Sequence, residues 1–86
     1  MKLMHVGIFL KEGYFEPSGM TLKELAELTG STPASLSRLF SGKATLSYEM
    51  AVKLEEIWPR KAETWLAHQA RYELEKIREN AIKINY

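Results

Sequence analysis

The chain has 86 residues, no cysteine, 12 basic and 11 acidic side chains and a formal net charge of +1. That is enough chain for one domain, 1–86, burying on the order of 60% of its unfolded surface, and it excludes disulfide staples and thiolate metal sites. No apolar run approaches the roughly 20 residues of a membrane span, and the start turns charged at Lys11-Glu12 without a small-residue cleavage site. A cytoplasmic protein is expected. Apolar spacing predicts a first helix over residues 6–15, with Phe9, Leu10 and Tyr14 on one stripe and Ile8 and Phe15 sharing another face. Gly13 inside it costs roughly 1 kcal/mol against alanine, and Pro17 should end it.

Residues 21–42, TLKELAELTGSTPASLSRLFSG, read as two short helices around a tight turn. Thr21 with Glu24 forms a capping box, and Leu22, Leu25 and Ala26 repeat at helical spacing. Gly30 stops the second helix, Thr32 caps the third, and Pro33 occupies its first position, where a missing N–H costs nothing. Leu36, Leu39 and Phe40 form its inner side, and Gly42 ends it. Ala26 stands where two steeply crossing helices need a small side chain. This is the pattern of a helix-turn-helix.

A loop from Ser41 to Ser47 leads to a fourth helix capped by Ser47. Met50, Ala51, Leu54, Ile57 and Trp58 face inward, while Lys53, Glu55 and Glu56 face water, and Pro59 ends the helix. The fifth should run from about Ala62 to Glu79, with Trp65, Leu66, Ala70, Leu74 and Ile77 along one side. Residues 80–86 form a tail in which Ala81 to Tyr86 alternate with period two, a short strand signal. The expected core is Leu10, Leu25, Ala26, Leu36, Leu39, Ala51, Leu54, Trp65 and Leu66, and the fold class all-α.

Charge is distributed unevenly. Residues 1–29 carry three lysines and four glutamates, and residues 48–86 carry seven charges of each sign. Between them, residues 30–47 hold Arg38 and Lys43 and no acid. The acid-free segment is therefore the one a helix-turn-helix would turn toward phosphates. The third helix would enter the major groove by its N-terminal part, Pro33, Ala34 and Ser35, with Ser37 and Arg38 one turn on. Arg38 can grip guanine bidentately, Thr32 and Ala34 can meet a thymine methyl, and Ser37 can bond a base edge or a phosphate. Lys43 and the Ser41-Gly42 backbone would hold a phosphate. Catalysis is not expected: the chain has two histidines, His5 and His68, and no aspartate, so no Ser-His-Asp set is possible and the sequence has no His-x-x-x-His metal pair. No cofactor is expected.

Helix five is longer than a small helical core requires. Tyr72, Leu74, Ile77 and Arg78 near its far end are read as a homodimer surface, which would set two recognition helices one DNA turn apart over an inverted repeat.

The chain resembles the lambda-repressor-like helix-turn-helix domains and, within them, the HigA-type antitoxins. The resemblance rests on His5-x-Gly7, Glu16-Pro17, LSRLFSGKATLSYEMAVKL (36–54) and WLAHQARYELE (65–75). Leu22 stands where many relatives carry a phosphate-clamping glutamine, and Pro59-Arg60-Lys61-Ala62 replaces a Gly-Thr-Ser-Pro joint, so the start of helix five lacks a capping oxygen. The resemblance implies a five-helix DNA-binding domain with an extended C-terminal helix. It also implies a small autorepressor that binds double-stranded operator DNA and neutralises a small basic ribonuclease toxin acting on ribosome-bound mRNA. Ile8, Glu12 and Phe15 on helix one are the expected toxin-binding face, because DNA and the second subunit would occupy helices three and five and little arm flanks the helices. A stand-alone transcriptional regulator, or an interaction module without DNA, would need the same fold; a neighbouring frame encoding a small basic protein would distinguish the antitoxin.

Overall fold

The computed structural model describes the backbone of residues 2–85 and the side chains of residues 2–81. Five helices follow in order. Helix α1 begins as Val6–Leu10, widens over Lys11–Phe15 and closes with Glu16–Ser18; α2 is Leu22–Thr29, α3 Pro33–Phe40, α4 Tyr48–Glu55 and α5 Ala62–Asn85. One core holds them together, built from Val6, Leu10, Leu25, Ala26, Leu36, Leu39, Phe40, Leu46, Ala51, Leu54, Trp58, Ala62 and Trp65. Eight of the nine expected core residues are in it, and Leu66 packs half-buried at its edge.

Local signals place the helix-turn-helix as the sequence predicts. Glu24 N–H donates to Thr21 Oγ1 at 3.1 Å, and Thr21 N–H donates to Glu24 Oε1 at 2.8 Å, closing the capping box. Gly30 takes φ +68°, the left-handed conformation that ends α2, and Ser31 N–H returns to the Ala26 carbonyl at 2.9 Å. Ser35 N–H donates to Thr32 Oγ1 at 3.1 Å, and Met50 N–H to Ser47 Oγ at 3.1 Å, so α3 and α4 start at their expected caps.

Four expectations need correction. Helix α1 does not stop before Pro17 but runs to Ser18. Its middle turn is π-type, with Glu16 N–H reaching the Lys11 carbonyl five residues back. Proline lacks an N–H and its ring crowds the carbonyl four residues earlier; widening the preceding turn relieves that crowding without ending the helix. Helix α4 ends at Glu55 rather than at Pro59: Glu56 N–H turns back to the Lys53 carbonyl at 3.3 Å and Ile57 N–H to the Leu54 carbonyl at 3.0 Å, tighter three-residue bonds that close the helix before the proline is reached. The joint to α5 is capped after all: Glu55 Oε1 accepts Ala62 N–H at 2.7 Å. Glu55 is thus half-buried instead of facing water. Finally, residues 81–85 continue α5 instead of forming a strand, and Tyr86 lies outside the described residues. Extending an existing helix adds one hydrogen bond per residue with no nucleation cost, whereas a lone strand leaves its backbone groups unpaired.

Aromatic rings join α1 to α5 and to the Trp58 turn. Tyr14 stacks on Trp58 at 5.5 Å and meets Trp65 edge-on at 5.8 Å, while Phe9 stacks on His68 at 5.1 Å. The Phe9-Leu10-Tyr14 stripe therefore faces α5 and the Trp58 turn, as its spacing predicts. At 24 residues α5 spans about 36 Å, beyond the 22–24 Å cross-section of the molecule, so its far half projects past the core. No described helix is long and apolar enough to cross a membrane.

Candidate nucleic-acid interface

Helix α3 exposes one face and buries the other. Leu36, Leu39 and Phe40 lie in the core, while Thr32, Pro33, Ala34, Ser35, Ser37, Arg38, Ser41 and Lys43 are all exposed. The eight residues expected to meet DNA thus form one continuous outer surface. Thr32 Oγ1 accepts from Ser35 N–H and donates to Ser35 Oγ at 3.0 Å, so these two hydroxyls are occupied in capping. That leaves the Thr32 methyl, Ala34 and Ser37 as the free contacts at the front of the helix. Arg38 Nη2 rests on the Lys43 carbonyl at 3.4 Å, a long bond that an extended guanidinium can give up for a guanine edge.

Beside α3 lies a shallow cleft of about 290 Å³, lined on one side by Ser31, Ser35 and Arg38 and on the other by Ala44, Thr45, Ser47 and Met50. The second wall was not assigned to DNA from the sequence. Its hydroxyls, Thr45 and Ser47, are exposed and border a surface with no acidic side chain between residues 30 and 47. The acid-free charge pattern over those residues is the signal that could have found them.

What holds that loop in place is Gln69 on α5. Its carboxamide accepts Leu46 N–H at 2.6 Å and donates to the Leu46 carbonyl at 3.0 Å, pairing with the loop backbone as a neighbouring strand would. Both groups of a buried residue are satisfied at once, so the loop cannot shift without losing two hydrogen bonds. This gives a physical role to the Gln69 of the Trp-Leu-x-x-Gln run: Trp65 fills the core and Gln69 fixes the loop that flanks the recognition helix. Leu22, where relatives carry glutamine, packs half-buried against the core beside Phe15 and Phe40. That position serves packing here.

The other expected sites are arranged differently. Leu74 and Ile77 are 46% and 61% exposed on the projecting half of α5, and Arg78 is exposed beside them. Tyr72 is engaged within the protomer, edge-on to His5 at 5.3 Å. On α1, Ile8 and Phe15 do share a face, but that face turns toward the end of α3. Phe15 stacks on Phe40 at 4.9 Å, and Ile8 reaches the Gly42 turn. Both are half-buried, and Glu12 is exposed.

Comparison with known proteins agrees with this geometry. The helix-turn-helix family model matches residues 14–57. Virulence-associated protein A of Dichelobacter nodosus is 39% identical over 74 residues, 85% of this chain and 72% of that protein. Among solved structures, the antitoxin GraA superposes with a TM-score of 0.86 at 22% identity, covering 94% of this chain and 87% of its own. The Pseudomonas aeruginosa antitoxin HigA, solved with the higBA promoter, superposes with a TM-score of 0.86 at 18% identity, covering 95% of this chain and 89% of its own. With the matched segment holding α2, the turn, the recognition helix and the flanking loop, the chain belongs to the helix-turn-helix family of DNA-binding regulators.

Proposed function

We propose that the chain is the antitoxin of a HigBA-type pair: a homodimer that binds an inverted repeat in its own operator and neutralises a small basic ribonuclease toxin. The observation that carries the DNA half is the exposed, acid-free face of α3 and its Gln69-fixed loop. The likeness to two antitoxins, one of them solved on promoter DNA, supports the choice of regulator. Dimerisation would use Leu74, Ile77 and Arg78, which carry no core contact and lie where α5 outruns the bundle.

In this mechanism Arg38 reads a base and Lys43 positions the backbone. Replacing Arg38 by alanine should lower operator affinity by about 1–3 kcal/mol and relax the preference at one base pair per half-site. Lys43→Ala should weaken all sequences alike and flatten the salt slope by about one. Fluorescence anisotropy on operator and scrambled duplexes across a salt series measures both. Equal losses on both duplexes from both variants would refute the division of labour.

The toxin would dock on α1 through Glu12, with Ile8 and Phe15 contributing the exposed parts of their half-buried side chains. An acidic residue beside an apolar edge suits a basic ribonuclease surface. The check is capture of the neighbouring gene product by Ile8→Glu and Glu12→Lys variants that still bind DNA. Reduced capture is expected. Undiminished capture would move the docking site off α1, and no capture by the wild type would favour a stand-alone transcriptional regulator.

A further inference from the structure

The motif His5-x-Gly7 has no part in the DNA face, yet it sits at the point where three helices meet. Gly7 N–H donates to His5 Nδ1 at 2.9 Å, so the imidazole caps the start of α1. That bond requires an unprotonated Nδ1. Gly7 itself lies against the C-terminal end of the recognition helix: a Cβ there would come within 1.8 Å of the Leu39 carbonyl oxygen. The same carbonyl accepts Gly42 N–H at 3.1 Å, and the His5 ring packs on the Gly42 turn that leads into Lys43. On its far side the ring meets Tyr72 of α5 edge-on at 5.3 Å. One turn earlier on α5, four residues before Tyr72, His68 Nε2 donates to the Met4 carbonyl at 2.7 Å and ties the same segment down.

We propose that His5 is a positioning residue for DNA recognition: its neutral ring sets the end of α3 and the Gly42-Lys43 turn against α1 and α5, so operator binding is lost on acidification. The proposal rests on the DNA-binding reading above. A proton on Nδ1 would put an N–H against the Gly7 N–H and open the first turn of α1. Helix α1 and the Gly42 turn are packed in direct contact, so the displacement reaches Lys43.

Burial pushes the His5 imidazole below its ordinary value of 6.5; Glu73 on α5 opposes the shift, and Lys76 and His68 on the same helix reinforce it. Tyr72 faces the ring from α5, and the α3 side presents the Leu39 carbonyl and the Gly42 turn. Because the folded state holds the proton less tightly than the unfolded one, the ordered arrangement is complete above pH 6.5 and is lost as pH falls through the lowered value. The direction is diagnostic. A histidine that only added positive charge would tighten binding to phosphates at low pH.

The experiment is a pH series from 7.5 to 5.5 on a duplex selected by the wild type from a random pool. Binding is followed by anisotropy and helix content by circular dichroism, with the Gly7 amide resonance as a readout independent of DNA. Wild type should bind several-fold more weakly at pH 5.5 than at pH 7.5, short of the roughly tenfold an unshifted imidazole would give, while remaining helical, and its Gly7 amide should titrate. His5→Asn keeps a capping oxygen without a titrating group and should bind within about twofold of wild type at pH 7.5 and stay flat. His5→Ala should bind about fivefold more weakly at pH 7.5 and also stay flat. His68→Gln should keep the wild-type slope. A wild type whose affinity is constant or rises on acidification, or a His5→Asn variant with the wild-type slope, would overturn the role of His5. Failure of the wild type to select any duplex at pH 7.5, with the Gly7 amide still titrating, would instead overturn the DNA-binding reading.

Discussion

Gly7→Ala should lower stability by about 3 kcal/mol or more, the upper end of what overpacking costs. The added carbon would lie 1.8 Å from the Leu39 carbonyl oxygen and 2.7 Å from its carbon, and both atoms are backbone of the recognition helix. A side chain could swing aside, but a helix end held by the Gly42 turn cannot move without disturbing Leu36, Leu39 and Phe40 in the core. For a domain of this size the loss corresponds to a fall in melting temperature of about 12–24 °C. Gly13→Ala is the internal control. It lies on the same helix, an added carbon there meets nothing within 4 Å, and alanine is the better helix former by up to about 1 kcal/mol. Thermal melts of the two variants should therefore diverge in opposite directions. Similar melting of Gly7→Ala and wild type would mean that α1 does not seat on the end of α3 as described.

Glutamate at both Leu74 and Ile77 should leave a folded protein that is a monomer and binds its operator about 100-fold more weakly. Both side chains are exposed and outside the core, so the melting temperature of the protomer should hardly change. The DNA effect is large because a dimer presents its second recognition helix at high effective concentration once the first is bound, and that advantage runs to factors of about 100–10,000. Sedimentation velocity reads the oligomeric state, and anisotropy on one-half-site and two-half-site duplexes reads the coupling. The variant should bind the half-site duplex like wild type. Sedimentation that still shows a dimer would place the interface elsewhere, Tyr48 and Val52 on α4 being the next exposed apolar pair at helical spacing.

The boundaries of α2 and α3, their caps and the turn between them were legible in the residues because every determinant lies within five positions of its partner. Thr21 and Glu24, Thr32 and Ser35, and Ser47 and Met50 each close a bond three residues apart, and Gly30 answers a purely local need for positive φ. The same short-range code put Leu36, Leu39 and Phe40 on one face of α3 and so exposed Ser37 and Arg38 on the other. The acid-free stretch of residues 30–47 was legible too, since charge sign needs no coordinates. Tertiary structure decided what depended on distant partners. Gln69 and Leu46 are 23 residues apart, Glu55 caps α5 seven residues ahead, and His5 meets Tyr72 from the opposite end of the chain. A long polar side chain has many partners within reach, and only packing selects one. Packing likewise set the Ile8-Phe15 face against the Gly42 turn and Phe40, which spacing alone could identify as a shared face but not as a half-buried one. The tail followed the same rule: six residues of alternating polarity specify a strand weakly, and a helix already running from Ala62 adds the next hydrogen bond more cheaply than an unpaired strand can find one.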